Sequence, residues 1–193
     1  MTINCLLEGV AMYKHCTTEE SVLRQRQLEK CLLELMQTVP YPQITIAHIC
    51  QQADISRKSF YRYFGSKDGC LYALIDHCIM DGASQYLPDR DEASRSHAFY
   101  ERFFSYWKDM SPLLDVLEKN HLSLIIVERM MYYVDQEGRS LHYYLGGSAD
   151  DSYEQILFMV SGIMGLVLSW HHSGFQKTVT QMADILEKVI RSS

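Results

Sequence analysis

Ile44 to Leu71 reads ITIAHICQQADISRKSFYRYFGSKDGCL, and this stretch decides the fold. Thr45 is a good helix N-cap, because its hydroxyl can accept from one of the orphan amides of the first turn. Ile46, Ile49, Cys50 and Ala53 follow at helical spacing. Cys50 and Ala53 are small enough to let a second helix cross closely. Asp54 then falls in the turn, where a left-handed backbone is tolerated by Asp as well as Gly, and Ile55 points into the core.

Ser56 is placed to cap the next helix. Phe60 and Phe64 lie one turn apart on its inner side, which leaves Arg57, Lys58, Ser59, Arg62 and Tyr63 mostly outward. A helix with cations, hydroxyls and rings on its free face suits a DNA major groove: its N-terminal residues meet base edges while neighbouring groups fix phosphates.

The stretch resembles the DNA-binding domain of the tetracycline-repressor (TetR) family. That family's pattern runs through I-A-x-x-A-G-V-S, x-x-T-x-Y-x-x-F and x-x-K-x-x-L. Here the pattern reads Ile49-Cys50, Ala53-Asp54-Ile55-Ser56, Ser59, Tyr61, Phe64, Lys67 and Leu71. Cys50, Asp54 and Ser59 stand where the family often has Ala, Gly and Thr; all three are small or compatible with a turn. The resemblance implies that Thr45, Tyr61 and Lys67 hold phosphates, and that Arg57, Lys58, Ser59, Arg62 and Tyr63 face the groove. It also implies an all-α chain in which a three-helix DNA-binding head is followed by a helical ligand-binding and dimerisation body.

Charge supports that division. The net charge of -6 is unpromising for a DNA binder until it is split by position. Residues 1–68 carry eight Lys or Arg against seven Asp or Glu, and residues 69–193 carry ten against seventeen. One weakly basic head would bind DNA poorly, since phosphate neutralisation supplies much of the affinity; two heads on a homodimer would bind better. The domains expected are an N-terminal extension (1–17), a helix-turn-helix domain (18–66) and a helical effector-binding and dimerisation domain (67–193).

The extension holds an apolar patch from Cys5 to Met12 without a basic leader or a cleavage-like end, so no signal peptide is expected, and Met12 is an alternative start. Thr17 and Glu20 have capping-box spacing before a helix with Val22, Leu28, Cys31, Leu32 and Leu35 on one stripe. The six cysteines fall at no finger or C-x-x-C spacing, so reduced thiols in a cytoplasm are expected. Cys70 and Cys78 are the pair to consider for a redox switch.

Beyond Phe64, Ser66 can cap a linking helix that carries Leu71, Leu74, Ile75, Cys78 and Ile79. Further helices are expected over Phe99–Trp107, from Ser111-Pro112, and from His121 to Val134, with a break at Gly146-Gly147. A long one over 151–173 stops at Gly174, and a last one opens at Thr178 with Gln181. Ile156 to Trp170 contains no charged residue and is apolar nearly all round. It is shorter than the ~20 residues of a membrane span, so no membrane is expected and the helix needs cover on every side. By resemblance, it pairs with the final helix in a four-helix dimer interface. That interface would use Ile156, Met159, Gly162, Ile163, Gly165, Val167 and Trp170 with Ile185, Leu186 and Val189.

Trp107, His121, Met131, Tyr132 and Tyr144 are candidate walls for an apolar effector pocket, although the same residue types also build ordinary cores. His171 and His172 diverge by about 100° on a helix and do not chelate one ion together. No metal or cofactor is expected. No G-x-S-x-G elbow, phosphate loop, Rossmann fingerprint or H-E-x-x-H appears, so no enzyme is expected. The functional expectation is a homodimeric regulator, a repressor released from a palindromic double-stranded operator by a small-molecule effector. The alternative is a coactivator or interaction protein whose body docks another protein.

Overall fold

The computed structural model describes residues 12–86, 97–136 and 151–192; Tyr144, Gly146-Gly147 and residues 1–11 lie outside them. Among the described residues every regular element is helical: α1 (Glu19–Thr38), α2 (Ile46–Gln52), α3 (Arg57–Phe60), α4 (Lys67–Tyr86), α5 (His97–Asp109), α6 (Ser111–Lys119), α7 (Ile125–Gln136), α8 (Tyr153–His172) and α9 (Val179–Ser192). The chain separates into two compact units, the first ending at His77 and the second beginning at Cys78. The division therefore falls inside α4, about three turns beyond the expected boundary at Lys67.

The first unit is built around α1, whose inner face buries Leu28, Cys31, Leu32 and Met36. α1 packs on α2, and α2 on α3. The cap of α1 is Thr18 rather than Thr17, and its hydroxyl donates to Ser21 Oγ instead of accepting from the backbone. Two acidic groups are buried in this unit and both are paired. Glu29 meets His77 Nδ1 at 3.0 Å, and Asp76 accepts from the Tyr13 hydroxyl. A buried carboxylate without a partner would cost several kcal/mol, roughly, so these contacts are part of what makes the core viable.

In the second unit α5 supplies an aromatic spine: Phe99, Tyr100, Phe103, Phe104, Tyr106 and Trp107 are all buried. α5 packs along α9 and also touches α6 and α8. Phe104 meets the edge of Trp170 at 5.7 Å, and Trp170 meets Phe175 at 4.8 Å. Edge-on aromatic pairs of this kind add about 0.5–1.5 kcal/mol beyond their buried area. The Trp170 indole donates to the Lys177 carbonyl. Gly174 takes φ +69° just past α8, the left-handed stop expected of it, and Thr178 with Gln181 forms the box that opens α9. α7 begins at Ile125, later than the expected His121, which instead sits at φ +58° in the preceding turn.

α8 is 20 residues long, and an 18-residue window within it has a mean hydropathy of 1.3. Its whole length thus reaches what a membrane span needs, which counting only Ile156–Trp170 missed. Its inner face nevertheless packs against α5, α6 and α7. Ile156, Val160, Ile163, Met164, Val167 and Trp170 are buried there. His171 extends the same face, with Nε2 2.8 Å from Asp115 and Nδ1 3.2 Å from Glu118 on α6. His172 also reaches Glu118. The two histidines share a carboxylate, then, but they do so to tie α8 to α6.

Candidate nucleic-acid interface

Local sequence chemistry sets the α2–α3 hairpin. Thr45 caps α2 by accepting from the His48 amide at 3.3 Å, and His48 Nδ1 returns the bond to the Thr45 amide at 3.4 Å. Asp54 has φ +51°, which bends the chain between the helices. Ser56 Oγ accepts from the Ser59 amide at 3.1 Å and opens α3. Regular helix ends at Phe60, earlier than the expected Phe64. The amides of Arg62 and Tyr63 turn to the carbonyls of Ser59 and Phe60, a tighter 3₁₀ winding that continues the spiral to Phe64. Phe60 and Phe64 are fully buried with ring centroids 5.2 Å apart.

That anchoring turns the opposite face outward. Arg57, Lys58, Tyr61 and Arg62 are exposed, while Ser59 and Tyr63 are half-buried. None of these three cations has a carboxylate partner among the described residues. An exposed guanidinium or ammonium left unpaired inside its own chain is available to an external anion or to base edges.

Lys67 is differently employed. Its ammonium donates to the carbonyls of Tyr41 at 2.7 Å and Ile44 at 2.9 Å, and lies 4.1 Å from the Tyr41 ring centre. Burial pushes its pKa below the usual lysine range. Two of its three hydrogens therefore hold the 3₁₀ turn Tyr41–Gln43 in place. The motif resemblance implied a different task for Lys67, that of holding a phosphate.

A groove of 440 Å³ opens beside α3, lined by Ser21 and Arg24 of α1 with Ser59, Arg62 and Tyr63, and also by the carboxylate residues Glu20 and Asp54. Its two cations are matched by two acidic groups, so the groove as a whole is no anion site; the guanidinium of Arg24, exposed beside α3, is the group that could reach a phosphate. Ser21 and Arg24 escaped the sequence reading because they sit on the outer face of α1, and only the crossing of α1 over the hairpin brings them alongside. Arg24→Ala is expected to weaken binding to all duplexes alike and to shallow the salt dependence by about one counterion. Salt titrations of binding check this, and an unchanged slope would remove Arg24 from the interface.

The family pattern for bacterial regulatory proteins of the tetR family matches residues 32–74, from the middle of α1 into α4. Over those residues the chain carries the DNA-binding pattern of the TetR family. A curated relative, the HTH-type dhaKLM operon transcriptional activator DhaS of Lactococcus lactis subsp. lactis (strain IL1403), is 27% identical over 136 residues, 63% of this chain and 67% of that one. The fold is shared with a tetR-family transcriptional regulator from Streptomyces coelicolor, at a TM-score of 0.59 and 17% identity over 92% of this chain and 81% of that one. A TetR-like regulator from Rhodococcus sp. RHA1 has a TM-score of 0.57 and 17% identity, covering 91% and 96%.

The residues expected at a dimer interface divide in two. Ile156, Ile163, Val167, Trp170 and Leu186 are buried inside this chain's own second unit, so they offer no surface to another copy. Met159 and Ile185 are half-covered, and Gly162, Gly165 and Val189 are open. The free side of α8 instead runs through Leu157, Phe158, Gly162, Gly165 and Ser169. Phe158 is 81% exposed, and a Cβ added at either glycine would meet nothing within 4 Å. Sequence periodicity could not choose between the faces, because both are apolar.

The expected pocket residues among the described ones differ in burial. Trp107 and Met131 are buried, His121 is exposed, and Tyr132 is half-buried beneath the Arg129 guanidinium at 4.2 Å. Trp107 Nε1 is a buried donor without a hydrogen-bond partner among the described residues.

Proposed function

We propose that the chain acts as a homodimer that reads a roughly palindromic operator, presenting α3 of each copy to successive major-groove faces. The observation that carries this reading is the α3 face, on which Arg57, Lys58 and Arg62 are exposed and without carboxylate partners among the described residues. A free apolar side on α8 that holds Phe158 and two uncovered glycines supports the dimer, since a monomer gains nothing from displaying it. Two copies of α8, with Val189 of α9 at the edge, would bury it.

Half-sites on B-DNA lie one helical turn, about 34 Å, apart. An effector in the second unit that tilts α4 would change the spacing of the two heads and so release the operator, which is repression relieved by a ligand. The unsatisfied Trp107 Nε1 supports such a ligand, one with a hydrogen-bond acceptor to meet it. A second reading is activation rather than repression, which the similarity to DhaS, an activator of the dhaKLM operon, favours; a protein docked on the second unit is one way to bring it about.

Binding by substituted chains tests the DNA reading. Tyr61→Phe is expected to weaken all duplexes similarly, whereas Arg57→Ala and Arg62→Ala change which base is preferred, by ~1–3 kcal/mol per lost contact. Lys67→Ala is the poorer test, because it also frees the Tyr41 and Ile44 carbonyls. Unaltered preference in both arginine variants would refute the assignment of α3 as the reading helix. Trp107 fluorescence during a screen of small molecules and of lysate proteins separates the ligand reading from the protein-docking one.

A further inference from the structure

Met12, Tyr13 and Lys14 do not trail from the head. They are laid across the exit of the α3 spiral. The Lys14 amide donates to the Tyr63 carbonyl at 2.8 Å, the Gly65 amide donates to the Met12 carbonyl at 3.0 Å, and Tyr13 makes an antiparallel bridge with Phe64. The segment is fixed at its other side too. Its Tyr13 ring is buried, the hydroxyl donates to the buried carboxylate of Asp76, and the Lys14 carbonyl accepts from the Gln25 side-chain Nε2 at 3.1 Å. The backbone that receives it, Tyr63 to Gly65, directly follows the residues expected to read bases.

Gly69 shows that the sequence makes room for this segment. It lies in the first turn of α4, where Gly is a poorer helix former than Ala. A Cβ at that position would lie 2.1 Å from the Met12 carbonyl oxygen and 3.0 Å from its carbon, so any side chain displaces the segment.

We propose that Met12–Lys14 is a strap that fixes the direction of α3 for DNA reading, with Tyr13 and Gly69 as positioning residues. The proposal rests on α3 being the reading helix. The strap adds no base contact of its own; it removes freedom from the helix that makes them, so that less order has to be imposed on binding.

The test turns on a sign. Helix propensity alone predicts that Gly69→Ala raises Tm. The strap predicts the reverse in the full chain, with a lower Tm and operator binding weakened roughly tenfold, comparable to one mismatched base pair, at an unchanged salt slope. In a chain that lacks residues 1–14 the same substitution is expected to raise Tm and to leave that chain's DNA affinity unaltered. Tyr13→Phe, which keeps the ring and loses the bond to Asp76, should fall between wild type and Tyr13→Ala in operator affinity. A higher Tm and wild-type affinity for full-length Gly69→Ala would overturn the strap while leaving the DNA reading intact. A wild-type chain that does not distinguish duplexes would overturn the DNA reading, and the positioning role with it.

Discussion

Phe158→Asp is expected to turn the dimer into a monomer and to remove most of the operator affinity. The side chain is 81% exposed within its own chain, so the substitution leaves the monomer's fold undisturbed. In the proposed dimer it sits on a two-fold interface and is lost twice. Burying a Phe is worth ~1.5–3 kcal/mol, so the dimer constant should fall by roughly 10² or more, before the cost of burying two carboxylates is counted. Each head is only slightly basic, and without its partner it keeps little affinity for one half-site. Sedimentation velocity and anisotropy on the same sample read both effects. A variant that remains dimeric at wild-type affinity would place the interface elsewhere.

Phe60→Ala attacks the other requirement, a rigid reading helix. Phe60 is fully buried against Phe64, and α3 itself has only one turn of regular helix. Truncating a buried Phe costs about 3–5 kcal/mol, a large share of the ~5–15 kcal/mol that holds a typical domain together. The head should melt well below the wild-type temperature and DNA binding should vanish, while the dimer, held by the second unit, persists. Hydrogen exchange resolved by segment checks this: protection is lost in α2 and α3 and kept in α5 and α8. Uniform protection at wild-type levels would mean that Phe60 is not the anchor of the hairpin.

The hairpin was legible because everything that shapes it is local. Thr45, Asp54, Ser56 and the Phe60–Phe64 pair act over a few residues, and each does in the structure what its chemistry predicts. The second unit was legible only as helices. On α8 the inward Ile163 and Val167 and the outward Leu157 and Phe158 are alike in character, so no polar face marks which side is free. Lys67 was read as a phosphate ligand because its motif position is diagnostic; that it also braces the Tyr41–Gln43 turn depends on carbonyls supplied by a different segment. The role of the extension was hidden for the same reason, since Tyr13 pairs with Phe64 and Asp76 across the whole length of the head.

The central claim is that this chain reads DNA sequence through α3. Fluorescence anisotropy tests it most directly, with the purified protein titrated on the duplex from upstream of its own gene and on a scrambled duplex of equal length, at two salt concentrations. Tight, salt-sensitive binding to the first duplex and weak binding to the second are expected. Arg57→Ala with Arg62→Ala should narrow the gap between them. Equal affinity for both duplexes, unmoved by those substitutions, would contradict that claim.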